Sequence, residues 1–234
     1  MSVPLHRLAG FAAIVGGVLN GVADFWLQGG LGVRPGVNTF AYLPQVPFEP
    51  VFVGSILGQA ALPLWLLGFV PLYVALAPAG RWLALPPVLL FGYAFAIFPG
   101  YHGAYAFYSA AYQAQAAAPE AASAVLTTLV ERNHRVHDAV MLMIGPAMTL
   151  GSLWFMTAVA LGRTHYARWM VVFSPILVPL TQPLAEALPA PWGGYIRPAW
   201  GTTLFTLFFA LATWVTWNVR DVREEPGSRP GGSR

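Results

Sequence analysis

Asp24, His102, His134, His137, Asp138 and Glu186 are carboxylates and imidazoles set in or beside long apolar stretches, each toward the same end of its stretch. A carboxylate paired with an imidazole can move a proton near neutral pH. Several of them together can ligate zinc or iron. Charged residues make up 9% of the chain and lysine is absent, so the clustering stands out from its background. Ionisable groups inside a membrane are costly, usually face an interior or a water-filled cavity, and are functional candidates by default.

The elements that must carry them are helices. A hydrophobic fraction of 57% and nine tryptophans lie far from the composition of a soluble domain. Mean hydropathy is +0.60. Roughly 20 apolar residues cross a ~30 Å hydrocarbon core, and several stretches are that long. The composition therefore predicts an all-α, polytopic transmembrane helical bundle. Residues 1–221 form a single transmembrane domain, and residues 222–234 a disordered cytoplasmic tail rich in Pro, Gly, Ser and Arg. Without cysteine there are no disulfides or thiolate metal sites. The first stretch lacks a small-x-small cleavage site and carries Asn20 and Asp24, so it reads as a retained helix.

About six spans are expected: Leu8–Leu27, Val51–Ala77, Trp82–Tyr112, Asp138–Leu161, Trp169–Leu188 and Ala199–Asn218. Residues Glu120 to Arg135, after the helix-starting Pro119, are expected to extend the fourth span outward. Arg7, Arg81, Arg163, Arg168 and the arginines of the tail share one side, against Arg34, Arg132, Arg135 and Arg197 on the other. The positive-inside rule then places both termini in the cytoplasm. This distribution follows topology and gives no reason to expect nucleic acid as a partner. Prolines 63, 71, 99, 146, 175, 179 and 183 interrupt the spans. They fit either ordinary membrane-helix irregularity or a cavity widened near the outer side.

Helical rise sets the depths. Asp24 lies about 24 Å from Leu8, Gln59 about 27 Å from Ala77, and Glu186 about 26 Å from Trp169. His102 and Asp138 fall at a similar level, about 30 Å and 34 Å along their own helices. Asn20 with Asp24, Gln182 with Glu186, and His134 with Asp138 are each four apart and share a helix face. Gly17 and Gly21 beside Asn20 allow close helix approach, which turns Asp24 inward. Asp24, His102 and Glu186 are the candidate acid–base residues. Asn20, Gln59, Gln182, His137, Asp138 and the stripe Tyr101, Tyr105, Tyr108 are the candidate ligand-binding wall. An interfacial carboxylate, an interhelical hydrogen bond and an aromatic belt are the structural alternatives.

His102, His134 and His137 with a carboxylate form an alternative metal set, although His-Glu-x-x-His is absent. No Walker loop, dinucleotide glycine fingerprint or nucleophile elbow occurs, and no cofactor is required. His6 and His165 lie at the opposite end and read as interfacial residues.

Gly54-Ser55-Ile56-Leu57-Gly58, Leu62-Pro63-Leu64-Trp65-Leu66-Leu67-Gly68-Phe69 and Tyr101-His102-Gly103-Ala104-Tyr105, with Gly16-Gly17 to Asp24, resemble segments of uncharacterised bacterial multi-pass membrane proteins. The resemblance implies six helices in a bacterial inner membrane and no established reaction. The expected function is an outward-facing polar and aromatic pocket for a lipid or small amphiphile, with acid–base chemistry on it as one version. A transporter or channel-like subunit and an assembly partner of another membrane protein are the alternatives.

Overall fold

The computed structural model describes residues 4–28, 40, 42–189 and 192–219. Residues 29–39 of the first long connection and the tail 222–234 lie outside the described residues. The α-helices are α1 (Leu5–Leu27), α2 (Phe48–Leu67), α3 (Phe69–Leu76), α4 (Arg81–Ala116), α5 (Glu120–Ala160), α6 (Leu177–Glu186), α7 (Trp192–Ile196) and α8 (Trp200–Val215). No strand occurs among the described residues.

Side-chain size is distributed inside out for a water-soluble protein. On α1 the buried face is small, with Ala9, Gly10, Ala13, Gly16, Gly17 and Ala23, while Leu8, Phe11 and Val18 point outward. Small residues at interfaces let helices close in where lipid tails remove the hydrophobic drive between them. The α1 surface meets threonines of α8: a Cβ at Gly10 would collide with Thr213, and one at Gly17 with Thr206. Among the described residues four segments are long and apolar enough to cross a membrane: Leu5–Leu27, Phe48–Ala79, Arg81–Ala116 and Glu120–Ala160. The protein is an all-helical membrane protein.

The expected outer extension of the fourth span runs into it without a break, giving the 41-residue α5. At ~1.5 Å per residue, the 36 residues of α4 and the 41 of α5 span about 54 Å and 62 Å, well beyond the hydrocarbon thickness. Their joined ends form a projecting hairpin, laced by Gln115 Nε2 donating to Thr127 Oγ1 at 3.0 Å and by a Tyr112–His134 hydrogen bond.

The expected fifth span, Trp169–Leu188, is not one helix. It divides into a 3-10 segment, Arg168–Phe173, and the ten-residue α6. Pro175 forces Ser174 out of the helical region (ψ 143°), as proline does to the residue before it. Pro179 and Pro183 remove two further backbone donors on the same face. The expected sixth span is represented by the 16-residue α8. His6, expected at an interface, is buried, and its Nε2 lies 3.0 Å from the Thr216 carbonyl oxygen, tying the start of α1 to the end of α8.

Two clusters bracket the space between them. Toward the end carrying Arg81 and Arg168, Trp65, Phe69, Phe91, Phe95, Phe155, Phe205, Phe208 and Phe209 pack together, mostly edge to face. Toward the hairpin end, Phe40, Tyr42, Leu43 and Val46 fold back onto Leu27, Val51, Tyr105 and Tyr108.

Close approach of α1 and α2 depends on Gly54. A Cβ there would lie 2.8 Å from the Ala23 carbonyl oxygen and 3.0 Å from the Leu27 nitrogen, and backbone cannot swing away. Gly54→Val is expected to cost about 1–3 kcal/mol by overpacking and to lower the thermal unfolding midpoint read by tryptophan fluorescence in detergent. Gly92→Ala, where a Cβ meets nothing within 4 Å, is the control and should not lower it. Equal midpoints for the two variants would contradict this packing.

Candidate functional site

A cavity of about 510 Å³ lies between the two clusters, bounded by α1, α2, α4, α5, α6 and α8. Its floor is aromatic, made by Trp65, Phe98 and Phe205, which also belong to the packed core. Met141, Ile144 and Met148 of α5 and Val178 of α6 supply an apolar flank. Of all the lining residues, Gly145, Thr149 and Pro179 alone are exposed, so the cavity opens on the flank between α5 and α6. Its hairpin end is covered, because Tyr105 lines the cavity and also seats the cluster around Phe40.

The polar wall is built by three helices that are distant in sequence. Asp24 of α1 accepts a hydrogen bond at Oδ2 from the Thr202 hydroxyl of α8. Its Oδ1 lies 3.4 Å from His102 Nε2 of α4. Thr202 Oγ1 in turn accepts from Asn20 Nδ2 at 3.1 Å. The Asp24 side chain is 15% exposed and that of His102 7%, so water is largely excluded from the pair. His102 fits because Gly58 of α2 faces it; a Cβ at Gly58 would collide with the imidazole. Polar capacity is left over: Asn20 Oδ1, His102 Nδ1 and Trp65 Nε1 are buried with no hydrogen-bond partner. Buried polar groups of native proteins are nearly always satisfied, by protein, water or ligand.

The tyrosine stripe divides into two roles. Tyr101 and Tyr105 line the cavity, with their hydroxyls 3.0 Å apart. Tyr108 is instead part of the seat for Phe40, whose ring lies 4.8 Å from Tyr108, 4.9 Å from His137 and 5.5 Å from His134. The lid is fixed by Tyr42, whose hydroxyl donates to the Leu27 carbonyl at 3.1 Å, and by Gln113 Nε2, which donates to Val46 O at 2.7 Å. Burial, with Tyr101 and Asp24 nearby, holds the Tyr42 hydroxyl well above the ordinary phenol range.

Other expected site residues are not gathered here. Glu186 is exposed on α6 and accepts from Gln182 Nε2 at 3.3 Å, away from the cavity lining. The amide of Gln59 packs against Gly103 of α4, and Asp138 is exposed on α5. His137 packs among Phe40, Tyr101 and Tyr108, outside the lining. The alternative metal set is not assembled either. No group of three or more His, Asp or Glu residues that could hold a metal occurs among the described residues.

The model of a family of unknown function, DUF6796, matches residues 5–218. The chain belongs to that family. No curated protein and no solved structure matches it. The DUF6796 match runs from the first residue of α1 past the end of α8, so it includes every residue of the polar wall.

Thr202 and Trp65 are residues of this DUF6796 chain's cavity that sequence reasoning missed. Threonine in an apolar helix usually returns its hydroxyl to its own backbone, as Thr206, Thr213 and Thr216 do. The usable signal was depth. Thr202 lies three residues after Ala199, where the expected sixth span begins on the outer side, level with Asp24. Thr202→Val should leave the Asp24 carboxylate and the Asn20 amide short of a partner, costing about 1–3 kcal/mol for each. Thr202→Ser should recover most of that loss in thermal unfolding. Indistinguishable Val and Ser variants would show that the hydroxyl contributes nothing.

Proposed function

We propose that this DUF6796 protein binds a lipid or small amphiphile in the cavity between its helices, with the polar part of the ligand at Asp24 and His102. The observation that carries the reading is a carboxylate–imidazole pair at one wall of an otherwise largely apolar chamber whose exposed rim is on α5 and α6. Gly145 and Thr149 lie within the apolar part of α5, so the opening faces hydrocarbon at that depth rather than water. A ligand dissolved in the bilayer can reach such an opening sideways. About 510 Å³ is within the range of sites that enclose small organic ligands.

A bacterial cytoplasmic-membrane location with both termini inside is part of the proposal, supported by the arginine asymmetry. It requires the proline-broken segment 168–188 and α8 to complete the crossings beside the four long segments. A transport path is disfavoured by the aromatic cluster of Trp65, Phe95, Phe205 and Phe209, which lies under the polar wall where a path would need polar groups. A second reading, acid–base chemistry on the bound amphiphile, rests on the 3.4 Å between His102 Nε2 and Asp24 Oδ1. Such a pair can pass a proton to or from a group placed beside it.

Native mass spectrometry of the gently purified protein tests the binding reading. An amphiphile adduct at a one-to-one ratio is expected. Gly145→Trp should reduce its occupancy about tenfold or more, because a Cβ at Gly145 meets open space and the indole would fill the rim. A protein free of adduct, or an adduct unchanged by Gly145→Trp, would contradict side access to this cavity. A stoichiometric protein partner without lipid would favour an assembly role.

A further inference from the structure

The chemistry of the chamber narrows its ligand, on the footing that the amphiphile reading holds. Its ionisable lining consists of Asp24, His102 and the two phenols Tyr101 and Tyr105. Among the described residues no arginine lines it, and the chain contains no lysine. Arg197 is adjacent to the lining residue Pro198, and its guanidinium donates to the carbonyls of Ala185 and Leu188. A phosphate or carboxylate head would therefore bring a second acid beside Asp24 with no lysine or described arginine in the lining to offset it, in a setting where like charges are poorly screened.

The unmet hydrogen bonds point to a group that both donates and accepts. Asn20 Oδ1 is an acceptor without a donor, and Asp24 Oδ1 has only the long approach of His102 Nε2. Trp65 Nε1 is a donor without an acceptor. All three residues line the same cavity, and Asn20 and Trp65 are almost wholly buried. An ammonium head satisfies the acceptors and leaves the indole N–H unmatched. A carboxylate does the reverse. A neutral hydroxyl answers both, because it carries one donor and two acceptor sites.

We infer that the cavity selects an amphiphile with an uncharged hydroxyl head, such as a long-chain, isoprenoid or sterol-type alcohol. The hydroxyl donates toward Asp24 or Asn20 and accepts from Trp65, while the hydrocarbon body lies against Phe98, Met148 and Phe205. Anionic phospholipids and fatty acids are rejected at the polar wall.

The test uses three single-chain probes of equal length, dodecan-1-ol, dodecylamine and dodecanoate, titrated against the full-length protein by native mass spectrometry. The alcohol is expected to bind tightest and dodecanoate about tenfold or more weaker. Asp24→Leu should weaken the alcohol about tenfold, and Asp24→Asn, which keeps an acceptor, should restore most of it. Should Asp24→Leu fail to fold, Trp65→Phe serves in its place and should weaken the alcohol while leaving the amine unaffected. Dodecanoate or dodecylamine binding as well as the alcohol would overturn the head-group assignment and leave the cavity reading intact. No probe bound, with a co-purified adduct still present, would also overturn it. No probe and no adduct would remove both.

Discussion

Placing the Asp24 carboxylate among apolar helices is the constraint on which the rest of the structure depends. An uncompensated buried charge costs several kcal/mol, and a buried polar group must be hydrogen-bonded. Here the compensation comes from α8 through Thr202 and from α4 through His102. For those groups to reach Asp24, three helices distant in sequence have to converge at one depth. Glycines and small residues permit that convergence: Gly17 beneath Thr206, Gly54 against the end of α1, and Gly58 facing the imidazole. The polar wall and the tight interhelical packing are thus two consequences of one requirement.

The same convergence leaves the chamber. Helix α5 packs along α4, the 3-10 segment Arg168–Phe173 packs against α5, and Pro175 and Pro179 line the cavity. Above it, Phe40 sits in a ring of tyrosines and histidines; below it, phenylalanines and Trp65 fill the bundle. Ends closed by aromatic packing and a flank open between two helices are what a bilayer-soluble ligand would need.

Much of this fold was legible from simple signals. Long apolar runs gave α1, α4 and the inner part of α5, and Pro119 gave the start of the extension of α5. Shared depth paired Asp24 with His102 from two separate helices, and the Gly17–Asn20–Gly21 face turned Asp24 inward. Other parts were hidden for physical reasons. Hydropathy is blind to backbone donors, so the stretch 169–188 read as one helix even though it breaks at Ser174–Pro175. Depth also carries no azimuth. Glu186, expected at the level of Asp24, is exposed on α6 outside the cavity lining, and Gln59 turns to Gly103. The tyrosine stripe has one period but serves two neighbours, because Phe40 and residues 42–46 cover the half of it nearer the hairpin. Nothing local to Phe40 announces that docking.

In the proposed site, Asp24 faces a chamber reached from hydrocarbon and closed to water. Carbodiimide labelling in native membranes, with sites mapped by peptide mass spectrometry, tests it most directly. The account predicts that dicyclohexylcarbodiimide, which partitions into hydrocarbon, modifies Asp24. A water-soluble carbodiimide should spare Asp24 while modifying the exposed Glu186 and Asp138. Modification of Asp24 by the water-soluble reagent as readily as Glu186, or no modification of it by the hydrophobic one, would contradict the account.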